Sequence, residues 1–158
     1  TLPMVSLAEI RVYPTKTFKN KKALTKYTRL VHNVKKAYPY SQIAKRELDL
    51  IHDTLRLIAD EKARKDYLKM AEKRMLRRYE PELRKLTISQ GKILIKLIDR
   101  EIGNTSYNLV KEHRGNFSAF FWQGLARMFG TNLKAEYDPD GEDREIEEIV
   151  YRIENGGI

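Results

Sequence analysis

The strongest constraint on this chain is a change of apolar period at Lys21. Before it, Val5 to Tyr13 alternates in places and stops at Pro14, which predicts an extended lead with at most one short edge strand over Val5–Tyr13. After it, Ala23, Tyr27, Leu30, Val31 and Val34 fall at i, i+4, i+7, i+8 and i+11, one face of a helix. Pro39 disfavours helical geometry in the residue before it and predicts an end near Tyr38. Ser41 then caps a second helix carrying Ile43, Leu48, Leu50, Ile51, Leu55 and Ile58. Asp60 caps a third, from Glu61 to about Tyr79, and Pro81 suits the first turn of a short piece beyond it.

Thr87-Ile88-Ser89-Gln90 matches a capping box, with Thr87 as cap and Gln90 three residues on. The helix it opens runs through Ile93, Leu94, Ile95, Leu97, Ile98 and Ile102 to a stop at Gly103. Thr105 to Glu112 and Asn116 to Phe129 follow as helices, then an Asp138-Pro139-Asp140-Gly141 turn and a last helix over Glu142 to Glu154. The fold class is therefore all-α: a compact bundle of six to seven helices with an extended N-terminal segment. Residues 1–19 form the lead, and residues 20–158 form a single helical domain with an acidic C-terminal segment over 136–158.

Two helices are more apolar than a surface helix requires. Stepping 100° per residue from Phe117, the side chains Phe120, Phe121, Trp122, Leu125, Met128 and Phe129 cover an arc of about 200°, the mark of a core helix or one shared with a partner. Gly124 lies inside that arc and permits close approach of another backbone. The Ile88–Ile102 helix has an arc of about 220°. Glu101 falls within it, in the last turn, where the helix dipole disfavours an anion. A carboxylate there needs a cation, so Glu101 is a candidate buried ion pair with an Arg or Lys, and a general acid or base is the sharper alternative.

Charge is unevenly spread. The 158 residues carry 31 Lys+Arg and 22 Asp+Glu, a formal net charge of +9. Glu136 to Ile158 holds nine acids and two bases, a net of −7, which leaves 29 bases and 13 acids, a net of +16, on Thr1 to Ala135. The acidic end either neutralises the body's own surface or holds a separate partner. There are no Cys residues, which excludes disulfides, Cys-ligated metals and a Cys nucleophile. No apolar run approaches the ~20 residues of a membrane span.

Motifs for chemistry are absent: no GxGxxG, Walker loop, HExxH or GxSxG. His32, His52 and His113 lack a second ligand at metal spacing. Asp138-x-Asp140-Gly141-x-Asp143 places its Gly fourth, where a calcium loop needs it sixth, and Pro139 intrudes. No metal, no cofactor and no catalytic residue are expected. Basic clusters remain, on or near the first helix (Lys19, Lys21, Lys22, Lys26, Arg29, Lys35, Lys36) and on the third (Lys62, Arg64, Lys65, Lys69, Lys73, Arg74, Arg77, Arg78). They are either a solvated face or a surface for phosphate, protein or an anionic membrane.

The runs FKNKKALTKYTRLVHNVKKAYPYS, LTISQGKILIKLIDRE, TSYNLVK and AFFWQGLARMFGTNLKAEYDPDGEDREIEEIVYRIENG resemble the DUF4294 family of the Bacteroidota, from about Leu7 to Ile158. The resemblance implies a signal peptide upstream, with Thr1 left by cleavage or trimming. It also implies an address in the periplasm or at the outer membrane, and an accessory role in the type IX secretion system. No catalytic residue is carried over from the family. The expected function is a non-enzymatic adaptor docking on a protein partner in the cell envelope. Tyr13, Tyr38 and Tyr40 are the candidate partner-binding anchors, because they flank Pro14 and Pro39. A basic nucleic-acid-binding module and an enzyme with a site around Glu101 are the alternatives.

Overall fold

The computed structural model describes residues 10–104, 119–130 and 136–158. Five helices form there: α1 (Lys21–Arg56), α2 (Glu61–Leu83), α3 (Ile88–Asn104), α4 (Ala119–Phe129) and α5 (Arg144–Glu154). No strand forms among the described residues. The expected strand lies partly outside them, and its described part, Ile10 to Tyr13, has no ladder partner. The expected Thr105–Glu112 helix also lies outside the described residues.

The count of six to seven helices is corrected chiefly at Pro39. Instead of ending a helix, Pro39 sits inside the 36-residue α1. An interior proline removes one backbone bond and crowds the preceding turn, at roughly 3 kcal/mol. Burial outweighs that cost. Val34, Ala37, Ser41, Ala44, Leu48, Ile51 and Leu55 are all buried, spaced alternately by three and four residues, so one stripe crosses Pro39 without losing phase. Ser41 is not a cap either; it is fully buried, and its hydroxyl donates to the Tyr38 carbonyl at 2.7 Å. Pro81 likewise lies within α2, which runs unbroken to Leu83.

Local signals set the other boundaries. Asn20 caps α1 by accepting from the Ala23 amide at 2.9 Å, and Asp60 caps α2 in the same way from Ala63. The Thr87–Gln90 capping box closes in both directions, at 3.0 and 3.2 Å. Gly156, at φ +71°, ends α5 in a left-handed turn, where the Gly157 amide donates to the Arg152 carbonyl at 2.7 Å.

α1 packs most extensively on α3 and also meets α5 and α2, while α4 packs on α2 and α3. The main core joins Val34 and Leu48 of α1, Met75 and Leu76 of α2, Leu94, Leu97 and Ile98 of α3, Phe121, Leu125 and Phe129 of α4, and Ile149 and Val150 of α5. A smaller cluster of Ile51, Leu55 and Ala71, with Tyr67 and Leu68, closes the α1–α2 hairpin tip. α4 is thus a core helix: Phe121, Leu125 and Phe129 are buried, while Phe120 remains 43% exposed.

Two glycines make α4 fit. At Gly124 the close approach comes from a side chain rather than a backbone, since an added Cβ would stand 2.8 Å from Leu76 Cδ1. At Gly91 an added Cβ would clash with the ring edge of Phe129, at Cδ1, Cγ and Cε1. Gly91→Ala is expected to lower stability by about 1–3 kcal/mol, the usual scale of overpacking. Adding Phe129→Leu should lessen the incremental cost of the Cβ, because a smaller side chain relieves the clash. Denaturant titration of the two single variants and the double variant checks this coupling; strict additivity would contradict it.

Candidate functional site

The chemistry-bearing side chains converge where α5, packed on α1, reaches α3 through its side chains. Glu101 ends α3's buried face and is 4% exposed. Its Oε1 accepts from Gln42 Nε2 and from Arg100 Nη1, each at 2.9 Å, and its Oε2 lies 3.4 Å from Lys45 Nζ. Arg100 is the hub. Its guanidinium also donates to both oxygens of Glu147, at 2.8 and 3.1 Å, and to Glu154 Oε1 at 3.4 Å. Tyr137 donates its hydroxyl to Glu147 Oε2 at 2.6 Å, and Tyr38 donates to Glu154 Oε1 at 3.0 Å. Lys96 pairs with the buried Asp143, whose other oxygen accepts from the Asp138 amide at 3.0 Å. Lys16 meets Glu145 and Glu148, each at 3.1 Å.

Five of the nine acids of the C-terminal segment, Asp143, Glu145, Glu147, Glu148 and Glu154, are paired with cations of the protein itself. Asp143, Glu147 and Glu148 are buried and matched to Lys96, Arg100 and Lys16, cations of α3 and the lead. These pairs are the self-neutralisation that an acidic end makes possible. The Asp138–Asp143 turn is held by its own backbone, with Asp138 Oδ1 accepting from the Gly141 amide at 2.9 Å. Among the described residues, no group of three His, Cys, Asp or Glu side chains is arranged to hold a metal ion.

Protonation follows from this packing. Burial pushes the Glu147 carboxyl up, but hydrogen bonds from Arg100 and Tyr137 and the charges of Arg100 and Arg11 outweigh it, holding it below its ordinary 4.5. Burial alone weakens the Arg100 cation, yet Glu147, Glu154 and Glu101 hold it firmly protonated. Burial, then Glu147, pushes the Tyr137 phenol up, and burial, then Glu154, pushes Tyr38 up to about 12. Each shift strengthens the form already present near neutrality.

This gives a pH prediction at both ends. The stability supplied by Glu147 is complete above its unfolded value of about 4.5 and is lost as pH falls through its lower folded value. That supplied by Tyr38 is complete below 10.0 and is lost as pH rises through about 12. Melting temperature should thus fall below about pH 4.5, less steeply in Glu147→Gln, and phenolate absorbance should show Tyr38 ionising late, with Tyr38→Phe removing that step. A Glu147→Gln profile matching the parent's would contradict the first half.

The three candidate anchors are not brought together. Tyr13 is half-buried, its ring edge-on to Tyr151 at 5.3 Å. Tyr38 and Tyr40 lie inside α1 rather than outside a helix, and both pack against the main core. Tyr40 helps line an apolar crevice of about 30 Å³ with Met75, Tyr79, Leu83 and Phe121, far below the ~300 Å³ of a small-ligand pocket. His32 is exposed and His52 is buried in α1, while His113 lies outside the described residues. Sequence reasoning did not single out Arg100, Glu147 or Tyr137; the available signal was Lys96, Asp99 and Arg100 at helical spacing beside the apolar arc of α3.

No curated protein and no solved structure matches the chain. The family described as "Domain of unknown function (DUF4294)" matches residues 1–152, and the chain belongs to that family.

Proposed function

We propose that this protein is a non-enzymatic adaptor of the bacterial cell envelope. In this reading it is a periplasmic or outer-membrane-associated accessory subunit of the type IX secretion system in a member of the Bacteroidota, akin to PorD. The observation that carries the non-enzymatic part is the state of the buried cluster. A general acid or base works best with a pKa near the working pH. Here Glu147 is held down and Arg100, Tyr137 and Tyr38 are held up, so these groups serve as fixed charges and fixed donors that pin α5 to α3 and α1. The secretion assignment is supported by the family resemblance alone.

The test is deletion of the gene in its native host, with a tagged copy restored. Export of type IX cargo should fall on deletion, and the tagged protein should co-purify with the translocon. Normal export with no envelope partner would overturn the reading. A nucleic-acid-binding module is the second reading, favoured by the exposed cations of α2, where Lys62, Lys69, Lys73 and Arg77 line one side of the helix.

A further inference from the structure

From Ile10 to Arg46 the chain contains no Asp or Glu. Three cations of that stretch are consumed internally: Arg11 by Glu147, Lys16 by Glu145 and Glu148, and Lys45 by Glu101. Lys21, Lys22, Lys26, Arg29, Lys35 and Lys36 are all exposed and form no ion pair among the described residues. At 100° and 1.5 Å per residue they occupy about half the circumference of α1 over roughly 22 Å. Four of them, Lys21, Lys22, Lys26 and Arg29, lie together with Thr25 on one exposed patch of the first turns of α1. The self-neutralised C-terminal segment leaves this surface uncompensated.

We propose that the first half of α1, with residues 10–19 that lead into it, is an adsorption face for an anionic lipid bilayer. The composition of the face selects among polyanions. Five of its six cations are Lys, and protein–protein interfaces are depleted in Lys and enriched in aromatics. Single-stranded nucleic acid needs exposed aromatic platforms. Here Tyr27 is half-buried, 5.2 Å from Phe18 between ring centroids and with the Lys16 ammonium over its face. Leu24, 46% exposed, stands among the cations, and Ile10 and Val12 are exposed on the segment before α1, at 80% and 87%. Duplex phosphates gain nothing from them, whereas a bilayer interface buries them while its headgroups meet the lysines. This inference goes beyond the adaptor reading and does not depend on it.

The experiment is co-sedimentation of the full chain with vesicles of phosphatidylglycerol and phosphatidylcholine, against phosphatidylcholine alone, at 0.15 M salt. Strong partition into the anionic vesicles only is expected. Combined Lys22→Glu, Lys26→Glu and Arg29→Glu should weaken it by more than about 100-fold, the loss that removing three surface cations near an anionic bilayer already implies. The same change of net charge on α2, Lys69→Glu with Lys73→Glu and Arg77→Glu, should weaken it less than about tenfold. If circular dichroism shows the first triple variant misfolded, the three Gln replacements take its place, with a smaller loss in the same order. Equal losses from both helices, no preference for anionic vesicles, or quantitative stripping by duplex DNA at matched phosphate would each overturn the proposal, the last in favour of a nucleic-acid interface.

Discussion

Arg100→Met should lower stability by about 3–5 kcal/mol, the usual cost of removing one partner from a buried charge network. Its side chain is only 10% exposed and touches three carboxylates on two helices. Methionine fills much of the same volume and returns none of the charge. Glu101, with a side chain 6% exposed, would keep Lys45 and Gln42, but Glu147 would lose both of its guanidinium bonds. α5 should loosen first, because Arg100 is what ties Glu147 and Glu154 to α3. Urea unfolding measures the total, and hydrogen exchange across Arg144–Glu154 locates it. A loss below about 1 kcal/mol would mean that water or other cations reach these carboxylates freely.

Leu94→Ala should cost about 2–5 kcal/mol. Leu94 is 1% exposed in the middle of α3, against α1, α2 and α4 side chains that line the same small crevice. Truncation removes buried apolar surface and enlarges that crevice, and tight packing around Ile98, Leu125 and Met75 limits collapse into it. Leu57→Ala is the matched control. Leu57 is 87% exposed past the end of α1, and its loss should fall within about 0.5 kcal/mol of zero. Similar effects at the two positions would contradict the assignment of the core.

What was legible in the sequence was local. The Thr87–Gln90 capping box and the Asp60 cap depend on residues within a few positions of each other, so pattern alone places them. The 100° step also puts Glu101 on the buried side of α3. Pro39 is not legible locally, because its local penalty is overridden by the burial stripe that spans it, which only packing on α3 and α5 reveals. Arg100 was invisible because its partners Glu147 and Glu154 lie 47 and 54 residues away along the chain. The tyrosines were drawn to the surface by their neighbouring prolines, yet Tyr38 and Tyr40 are held by the very helix that Pro39 was expected to break.

The claim that this protein docks rather than catalyses is tested most directly by returning a Glu101→Gln copy to the deletion strain. Cargo export is measured against the amount of folded protein present. Gln keeps the shape and the bond to Arg100 while abolishing acid–base capacity, and stability should fall by roughly 1–4 kcal/mol. The account predicts that export declines only in proportion to folded protein. Export abolished while the Gln variant stays folded and abundant would contradict it and make Glu101 a catalytic group.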